Sequence, residues 1–251
     1  MDLTEFDRLF DKEKYKRHPW EISRRDVMFQ LLKSSKIKFP VKRIVDIGGG
    51  DAFIINEIYR QNLASAYFTI DTAYSLEIIS QLKANYGENP IQYVQNLTDY
   101  FANFPSEENT LFLCMDVLEH LENENEILNH LTQKNNYFLF AVPAFQSVFS
   151  NHDVLLGHYR RYNLKQLQNV LKQHHFQIQD KGYYFTSLLL VRWMERIFNK
   201  NKKASIDNWT GSSMTSKLIT SVLQLDFGFT HLLQKFGIRM YGLSCYCICK
   251  K

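Results

Sequence analysis

The stretch Arg43-Ile44-Val45-Asp46-Ile47-Gly48-Gly49-Gly50-Asp51-Ala52 decides how this chain folds. From Arg43 to Ile47 it is short, apolar and β-branched, so it reads as a buried strand. Three glycines follow at once. The backbone there must either turn with positive φ or come close to something that it holds. Ala52 to Arg60 then has helical spacing. A strand, a glycine turn and a helix open an α/β unit, and in open α/β sheets ligands bind beyond the carboxyl ends of the strands.

The alternation continues outward. Tyr67 to Ile70 reads as a second strand, closed by Asp71, and Leu76 to Tyr86 as a helix. Ile91 to Val94 and Leu111 to Met115 are the third and fourth strands, Glu124 to Thr132 a helix, and Tyr137 to Val142 a fifth strand stopped by Pro143. Leu164 to His174 is helical, and Phe176 to Phe185 and Tyr241 to Cys249 form a closing strand pair. Interleaved strands and helices predict a mostly parallel sheet with helices on both faces. Residues 1–36 precede this core as a helical lid segment broken at Pro19-Trp20, and 37–185 form the core. Residues 186–240 are a helical insertion, with Ser187 to Phe198 and Thr215 to Phe236 flanking a polar loop, Asn199 to Ser213. Residues 241–251 supply the last strand, all within a single domain.

A length of 251 residues, 45% hydrophobic and 22% charged, fits one large globular domain and excludes fibrous or disordered classes. No apolar leader opens the chain and no run reaches about 18 apolar residues, so a cytoplasmic location is expected. Cys245, Cys247 and Cys249 alternate along a strand and lack the C-x-x-C turn of metal sites. They read as reduced thiols, with no metal expected. Residues 1–153 hold 15 Lys and Arg against 22 Asp and Glu, a net −7, whereas residues 154–251 hold 15 against 4, a net +11. The basic C-terminal part suggests an anionic partner: a substrate phosphate, a membrane surface or nucleic acid.

The acids around the glycines distinguish between nucleoside cofactors. Asp71, ending the next strand, stands where a carboxylate can accept from both hydroxyls of a ribose. The dinucleotide fingerprint G-x-G-x-x-G/A fits at Gly48 and Gly50 but meets Phe53 at its third position, where a large side chain obstructs helix–strand packing. Asp46 suits a cationic ligand better than a pyrophosphate.

With those residues in view, Val45 to Ala52 resembles the first motif of class I S-adenosylmethionine (SAM)-dependent methyltransferases, with Ala52 where glycine is usual. Asp71 matches that family's ribose-binding acid, with Thr72 beside it. Asn96 and Leu97 stand where an acid and its neighbour meet the adenine, and Cys114-Met115-Asp116-Val117-Leu118-Glu119-His120-Leu121 resembles the fourth-strand motif that closes over the cofactor. A narrower likeness, to a bacterial subgroup of unassigned substrate, rests on Arg17-His18-Pro19-Trp20 with Arg24-Arg25, on Val142-Pro143-Ala144-Phe145 through His152-Asp153 to Gly157-His158-Tyr159-Arg160-Arg161-Tyr162, and on Phe236 to Ser244. The resemblance implies a Rossmann-like seven-stranded sheet, mostly parallel with the last strand antiparallel. It also implies SAM as cofactor and S-adenosylhomocysteine as product, with Asp46, Gly48, Gly49, Gly50, Asp71, Thr72, Asn96, Leu97, Asp116, Val117 and Trp20 around it.

Methyl transfer from a sulfonium is an in-line displacement in which positioning does most of the work. A hydroxyl or ammonium acceptor also needs a base, and His120 and His152, both expected beyond strand ends, are the candidates. His158, Arg160, Arg161 and Tyr162 are expected on the acceptor side, the arginine forks suiting a carboxylate or phosphate. Tyr15, His18 and Trp20 are expected to form an aromatic lid. The expected acceptor is a small molecule or a lipid-linked saccharide. The stretch Tyr184 to Ile197 reads either as an interfacial helix lying on anionic lipid, a peripheral membrane contact, or, preferred, as a helix packed on the sheet or on a partner subunit. A SAM-binding regulatory protein without turnover is the alternative. A nucleic-acid methyltransferase is disfavoured because the fourth strand ends in Asp116-Val117-Leu118-Glu119 rather than an Asn/Asp-Pro-Pro-aromatic tetrad. A nicotinamide dehydrogenase is disfavoured by Phe53 and Asp46.

Overall fold

The computed structural model describes residues 3–11, 16–198 and 209–251; Tyr15 and positions 199–208 of the polar loop lie outside them. The first strand, β1 (Val41–Ile47), is hydrogen-bonded on both sides, to β2 (Ala64–Ile70) and β4 (Thr110–Met115), both parallel to it. With β3 (Gln92–Val94), β5 (Tyr137–Pro143), β6 (Gln177–Tyr184) and β7 (Ser244–Lys250), the sheet runs β3-β2-β1-β4-β5-β7-β6. β7 inserts between β5 and β6, antiparallel to both.

Burial on both faces explains the apolar runs of the central strands. Ile44, Leu111, Leu113, Leu139, Tyr246 and Ile248 belong to one core layer, and Val45, Ile47, Phe112, Phe138, Phe140 and Cys247 to the other. Each such side chain contributes about 1.5–3 kcal/mol by leaving water. The first layer is covered by α2 (Pro19–Ser34), α3 (Phe53–Arg60), α4 (Leu76–Tyr86) and α10 (Ser213–Lys235), which supply Met28, Ile55, Leu82 and Phe227. The second is covered by α5 (Leu97–Asn103) and α8 (Leu164–Gln173), which supply Tyr100 and Leu167. Cys245, Cys247 and Cys249 alternate into this second layer as free, buried thiols.

Three local features differ from expectation. The helix expected over Glu124 to Thr132 is one turn, α6 (Asn125–Leu128), continued by i→i−3 bonds from His130 to Ile127 and from Leu131 to Leu128; the Glu124 carboxylate leaves it uncapped and bonds Arg160 and the Tyr162 hydroxyl. A helix not anticipated, α5, forms where Asn96 caps the Asp99 N–H at 2.8 Å. Phe53 does not obstruct strand packing: its ring faces outward beneath the Arg17 guanidinium, 3.7 Å away, and the wholly buried position before it is Ala52. Ala52 takes a left-handed φ of 58°, which explains why glycine suits this place.

The N-terminal segment α1 (Leu3–Phe10) packs against α4, and α2 packs against α10. Pro19 opens α2, with His18 as its cap and Glu21 returning a bond to the His18 N–H at 3.1 Å. α9 (Thr186–Phe198) and α10 stand between β6 and β7 in the chain, and α9 buries none of its residues.

Gly49 lies so close to Thr69 that a Cβ would collide with the Thr69 hydroxyl, whereas a Cβ on Gly228 within α10 meets nothing. Urea denaturation should therefore show Gly49→Ala losing about 1–3 kcal/mol to overpacking. Gly228→Ala should gain about 0.5–1 kcal/mol of helix propensity.

Candidate active site

The glycine turn joins the carboxyl ends of β1 and β2. Gly48, at φ 75°, and Gly49 donate to the Ile70 carbonyl at 2.8 and 3.1 Å, and a Cβ on Gly48 would run into Val117. Asp71 braces the turn from β2: its carboxylate accepts the Gly50 and Ala73 N–H groups, both at 2.9 Å. Asp46 is 4% exposed at the end of β1. Burial, relieved in part by Arg24 and reinforced by Asp71 and Asp51, pushes its carboxyl up to about 7. Asp116, just past β4, holds a left-handed φ of 55°, a strain of the kind that gathers at functional sites.

The acids on this edge meet arginines from the N-terminal segment. Arg24 of α2 forms an ion pair with Asp116, and its buried Nε has no hydrogen-bond partner. Arg8 of α1 binds Glu21 through both terminal nitrogens, at 2.9 and 3.0 Å, and reaches Asp51 at 3.0 Å. Arg17 joins the same pair, 2.7 Å from Glu21 and in contact with Asp51. The Glu5 carboxylate of α1 lies against Gly50. Side chains of α1 and of the segment leading into α2 thus lie against the turn. A cavity of about 280 Å³ lies beside them, lined by Arg8, Arg17, Asp51, Phe53 and Glu57 among others; none of the expected cofactor residues lines it.

Beyond β4 a short 3-10 turn (Leu118–His120) carries a second cluster. Glu119 is wholly buried, neither carboxylate oxygen has a well-formed hydrogen-bond partner, and burial pushes its carboxyl up to about 8 against the pull of its own backbone N–H, Arg24 and Arg161. The His120 ring meets His158 edge-on at 4.6 Å. Partial burial, then the neighbouring His158, lower it to about 4, so it is neutral at pH 7. Asp153, on α7 (Asn151–Leu155), accepts from His158 Nδ1 at 3.1 Å, Arg161 Nε at 2.7 Å and the Ser150 N–H at 2.8 Å. Burial alone would raise the Asp153 carboxyl, but the bonds from His158 and Arg161 outweigh it and hold the group below the usual carboxylate range.

The expected residues therefore fall into two groups. Asp46, Gly48, Gly49, Gly50, Asp71, Asp116 and Val117 meet around the turn, and Trp20 reaches it through Arg24, whose guanidinium lies 5.0 Å from its ring. Thr72 is exposed beside Asp71; Asn96 caps α5 and Leu97 is buried in the core. His120 and His158 meet, while His152 lies on α7 next to Asp153. Arg161 is 7% exposed and bound to Asp153, and Arg160 holds Glu124 at 3.1 Å and the Leu121 carbonyl, so both guanidiniums brace the rim loop. Tyr162 donates to Glu124 at 2.7 Å. Sequence reasoning assigned no role to Arg8, Arg24, Glu119 or Asp153. The pair Arg24-Arg25 and the dipeptide His152-Asp153 were visible, but their partners stand about 90 and 5–8 positions away, and nothing local marks them.

No protein-family model and no curated protein matches the sequence. Solved structures do match in shape. A SAM-dependent methyltransferase from Archaeoglobus fulgidus superposes with a TM-score of 0.54 at 16% identity, covering 96% of this chain and 97% of that one. This chain has the class I methyltransferase fold. A Haloferax volcanii methyltransferase in complex with the Trm112 activator gives 0.58 at 11% identity, over 100% and 98% of the two chains. Phosphoethanolamine N-methyltransferase 2 of Haemonchus contortus, in complex with SAM, gives 0.56 at 13% identity over 98% of this chain and 56% of its own.

Asp153 gathers a buried guanidinium, an imidazole and a helix start on one carboxylate. Asp153→Ala leaves Arg161 buried without its counter-charge and should cost about 3–5 kcal/mol of stability in urea titrations.

Proposed function

We propose that the chain is a SAM-dependent methyltransferase acting on a small or lipid-linked, anionic acceptor, with S-adenosylhomocysteine as product. The observation that carries this reading is the acidic edge of the sheet. Asp46, Asp71 and Asp116 end three adjacent strands, and the Arg24 guanidinium, whose Nε has no partner, pairs with Asp116 and partly relieves Asp46. Such a set suits a nucleoside with a cationic end. On this reading Asp71 holds the ribose with Thr72 beside it, and Asn96 and Leu97 flank the base. Asp46 faces the ammonium and sulfonium, Arg24 takes the cofactor's carboxylate, and Val117, Asp116 and Trp20 close the site. Bound SAM supplies an electrophilic methyl group on sulfur.

The residues on the acceptor side are His120, His152, His158, Arg160, Arg161 and Tyr162. The neutral His120 ring can accept a proton, and His152 is the second candidate base. Arg160 and Arg161 order the rim loop against which an anionic acceptor would rest. Residues 1–36 act as the lid of the single domain: Glu5 and the Arg8–Glu21–Arg17–Asp51 network must shift for the nucleoside to lie along the turn.

The helical insertion, residues 186–240, suits a lipid-linked acceptor. Met214, Leu218, Val222, Leu225, Phe229 and Leu232 recur every three or four residues along α10, each between 49% and 82% exposed. α9 adds exposed Leu190, Trp193 and Met194 with Arg192 and Arg196 among them. An apolar stripe in a segment of basic excess suits the surface of an anionic bilayer. No described helix is long and apolar enough to cross one.

Isothermal titration with SAM tests the cofactor reading. Asp71→Ala should weaken binding by roughly 1.5–3 kcal/mol. Ionised Asp46 is the binding form, and its carboxyl titrates near 7 in the free protein, so affinity should fall below pH 7 by up to about tenfold per unit. Asp46→Asn should weaken binding at pH 8 and abolish that slope; tight binding of NAD instead would refute the reading. Co-sedimentation tests the bilayer contact: anionic vesicles should carry the protein down and neutral ones should not, and no pelleting with either removes it.

A further inference from the structure

We propose that Glu119, His120 and His158 bind a divalent transition-metal ion on the acceptor side of the cleft. One donor atom from each residue lies within 4.8 Å of both others. Two imidazoles and one carboxylate form a donor set suited to Zn²⁺, Mn²⁺ or Fe²⁺, with positions left open for water or substrate. Donors bound at about 2.0–2.2 Å to one ion stand roughly 3–3.5 Å apart, so the cluster closes on a metal by an ångström or so of side-chain movement.

Two independent observations point to a cation there. The first is the orphaned carboxylate. Glu119 is 0% exposed, and neither of its oxygens has a hydrogen-bond partner. A buried carboxyl without partners is costly unless something arrives to meet it. The charges nearby do not supply it: Arg24 is paired with Asp116, and Arg161 with Asp153. Neither guanidinium forms an ion pair with Glu119.

The second is the support behind His158. Its Nδ1 lies 3.1 Å from the Asp153 carboxylate, which fixes Nδ1 as the donor and leaves the Nε2 lone pair to bind. Asp153 is itself held by Arg161 and Ser150, and the backbone bonds His158 N–H to Asp153 C=O at 2.9 Å and Tyr159 N–H to Glu119 C=O at 2.8 Å tie the rim loop to the turn bearing Glu119 and His120. This is the carboxylate–histidine–metal arrangement of ligand and support, assembled from segments about forty residues apart.

The role of the ion rests on the methyl-transfer reading, although its binding does not. An acceptor hydroxyl coordinated there loses its proton to solvent more readily, and His120 serves as a ligand instead of a base.

The test uses the full-length protein stripped with EDTA and titrated with Zn²⁺ and, separately, Mn²⁺ by calorimetry. One ion per chain should bind, with a Kd at or below the low micromolar range. Glu119→Gln and His120→Ala should each weaken it at least tenfold while the circular dichroism spectrum is kept. His120 lies at the surface, so its replacement remains a fair test if Glu119→Gln fails to fold. Binding of less than about 0.2 equivalents, or wild-type affinity in both variants, overturns the site. SAM titration of the same samples separates the two readings: metal binding without SAM binding leaves the site and removes the methyltransferase, and the converse removes the site alone.

Discussion

Carboxylates crowded at the ends of three parallel strands impose the constraint on which this molecule depends. Asp46, Asp51, Asp71 and Asp116 converge because β1 pairs directly with β2 and β4, so the strand ends stand side by side. Each is handled differently. Asp71 is bonded by backbone N–H groups of the turn that it braces. Asp51 is met by Arg8 and Arg17, and Asp116 by Arg24. Asp46 has burial and only distant help from Arg24, and its carboxyl rises to about 7. An edge of this kind attracts cations from wherever the chain can supply them, which explains why an N-terminal segment with arginines at positions 8, 17 and 24 folds back over it. Positive charge arriving from outside competes with those same arginines.

That competition links local structure to function. The bonds holding α1 to the turn are partly buried ion pairs, whose net contribution is modest because desolvation offsets attraction. On the proposed reading, a cover held this way exchanges with a ligand of similar charge at small net cost. The second cluster works in the opposite sense. Asp153, with its imidazole and guanidinium, is fully partnered and fixes the rim loop in place, while Glu119 next to it is left without a partner. Rigidity is concentrated one shell behind the unpaired group.

Much of the fold was legible because its signals are local. A β-branched run ending in glycines marked β1, and the alternation of Cys245, Cys247 and Cys249 marked β7. The ends of the strands moved by a few residues, since pairing partners rather than propensity set where a ladder stops. α6 is a single turn that tightens into i→i−3 bonds after Leu128, and the residue before it, Glu124, turns its carboxylate to Arg160 and Tyr162 across the fold, which no local pattern reveals. In the candidate site the same division holds. Asp46, the glycines and Asp71 stand within one βαβ unit and could be read together. Arg24 with Asp116, and Glu119 with His158, are contacts across 92 and 39 positions that the sequence leaves unmarked. Ala52 is instructive: its departure from glycine was visible, but the reason, a left-handed φ, belongs to the backbone.

The position of the helical insertion connects the two ends of the argument. α9 leaves the sheet after β6 and runs beside the loop that follows β5, where Arg196 reaches the Ser147 carbonyl. That loop leads within a few residues into α7, which carries Asp153, and then to His158. A surface that engages the apolar stripe of α9 and α10 therefore lies one loop away from the imidazoles of the rim. An acceptor with an apolar anchor and an anionic head would meet the two regions in that order, the anchor at the insertion and the head at the rim. A water-soluble acceptor gains nothing from the stripe. On the proposed reading, the exposed apolar residues of α10, costly on a surface that meets only water, suit the lipid-linked member of the two acceptor classes.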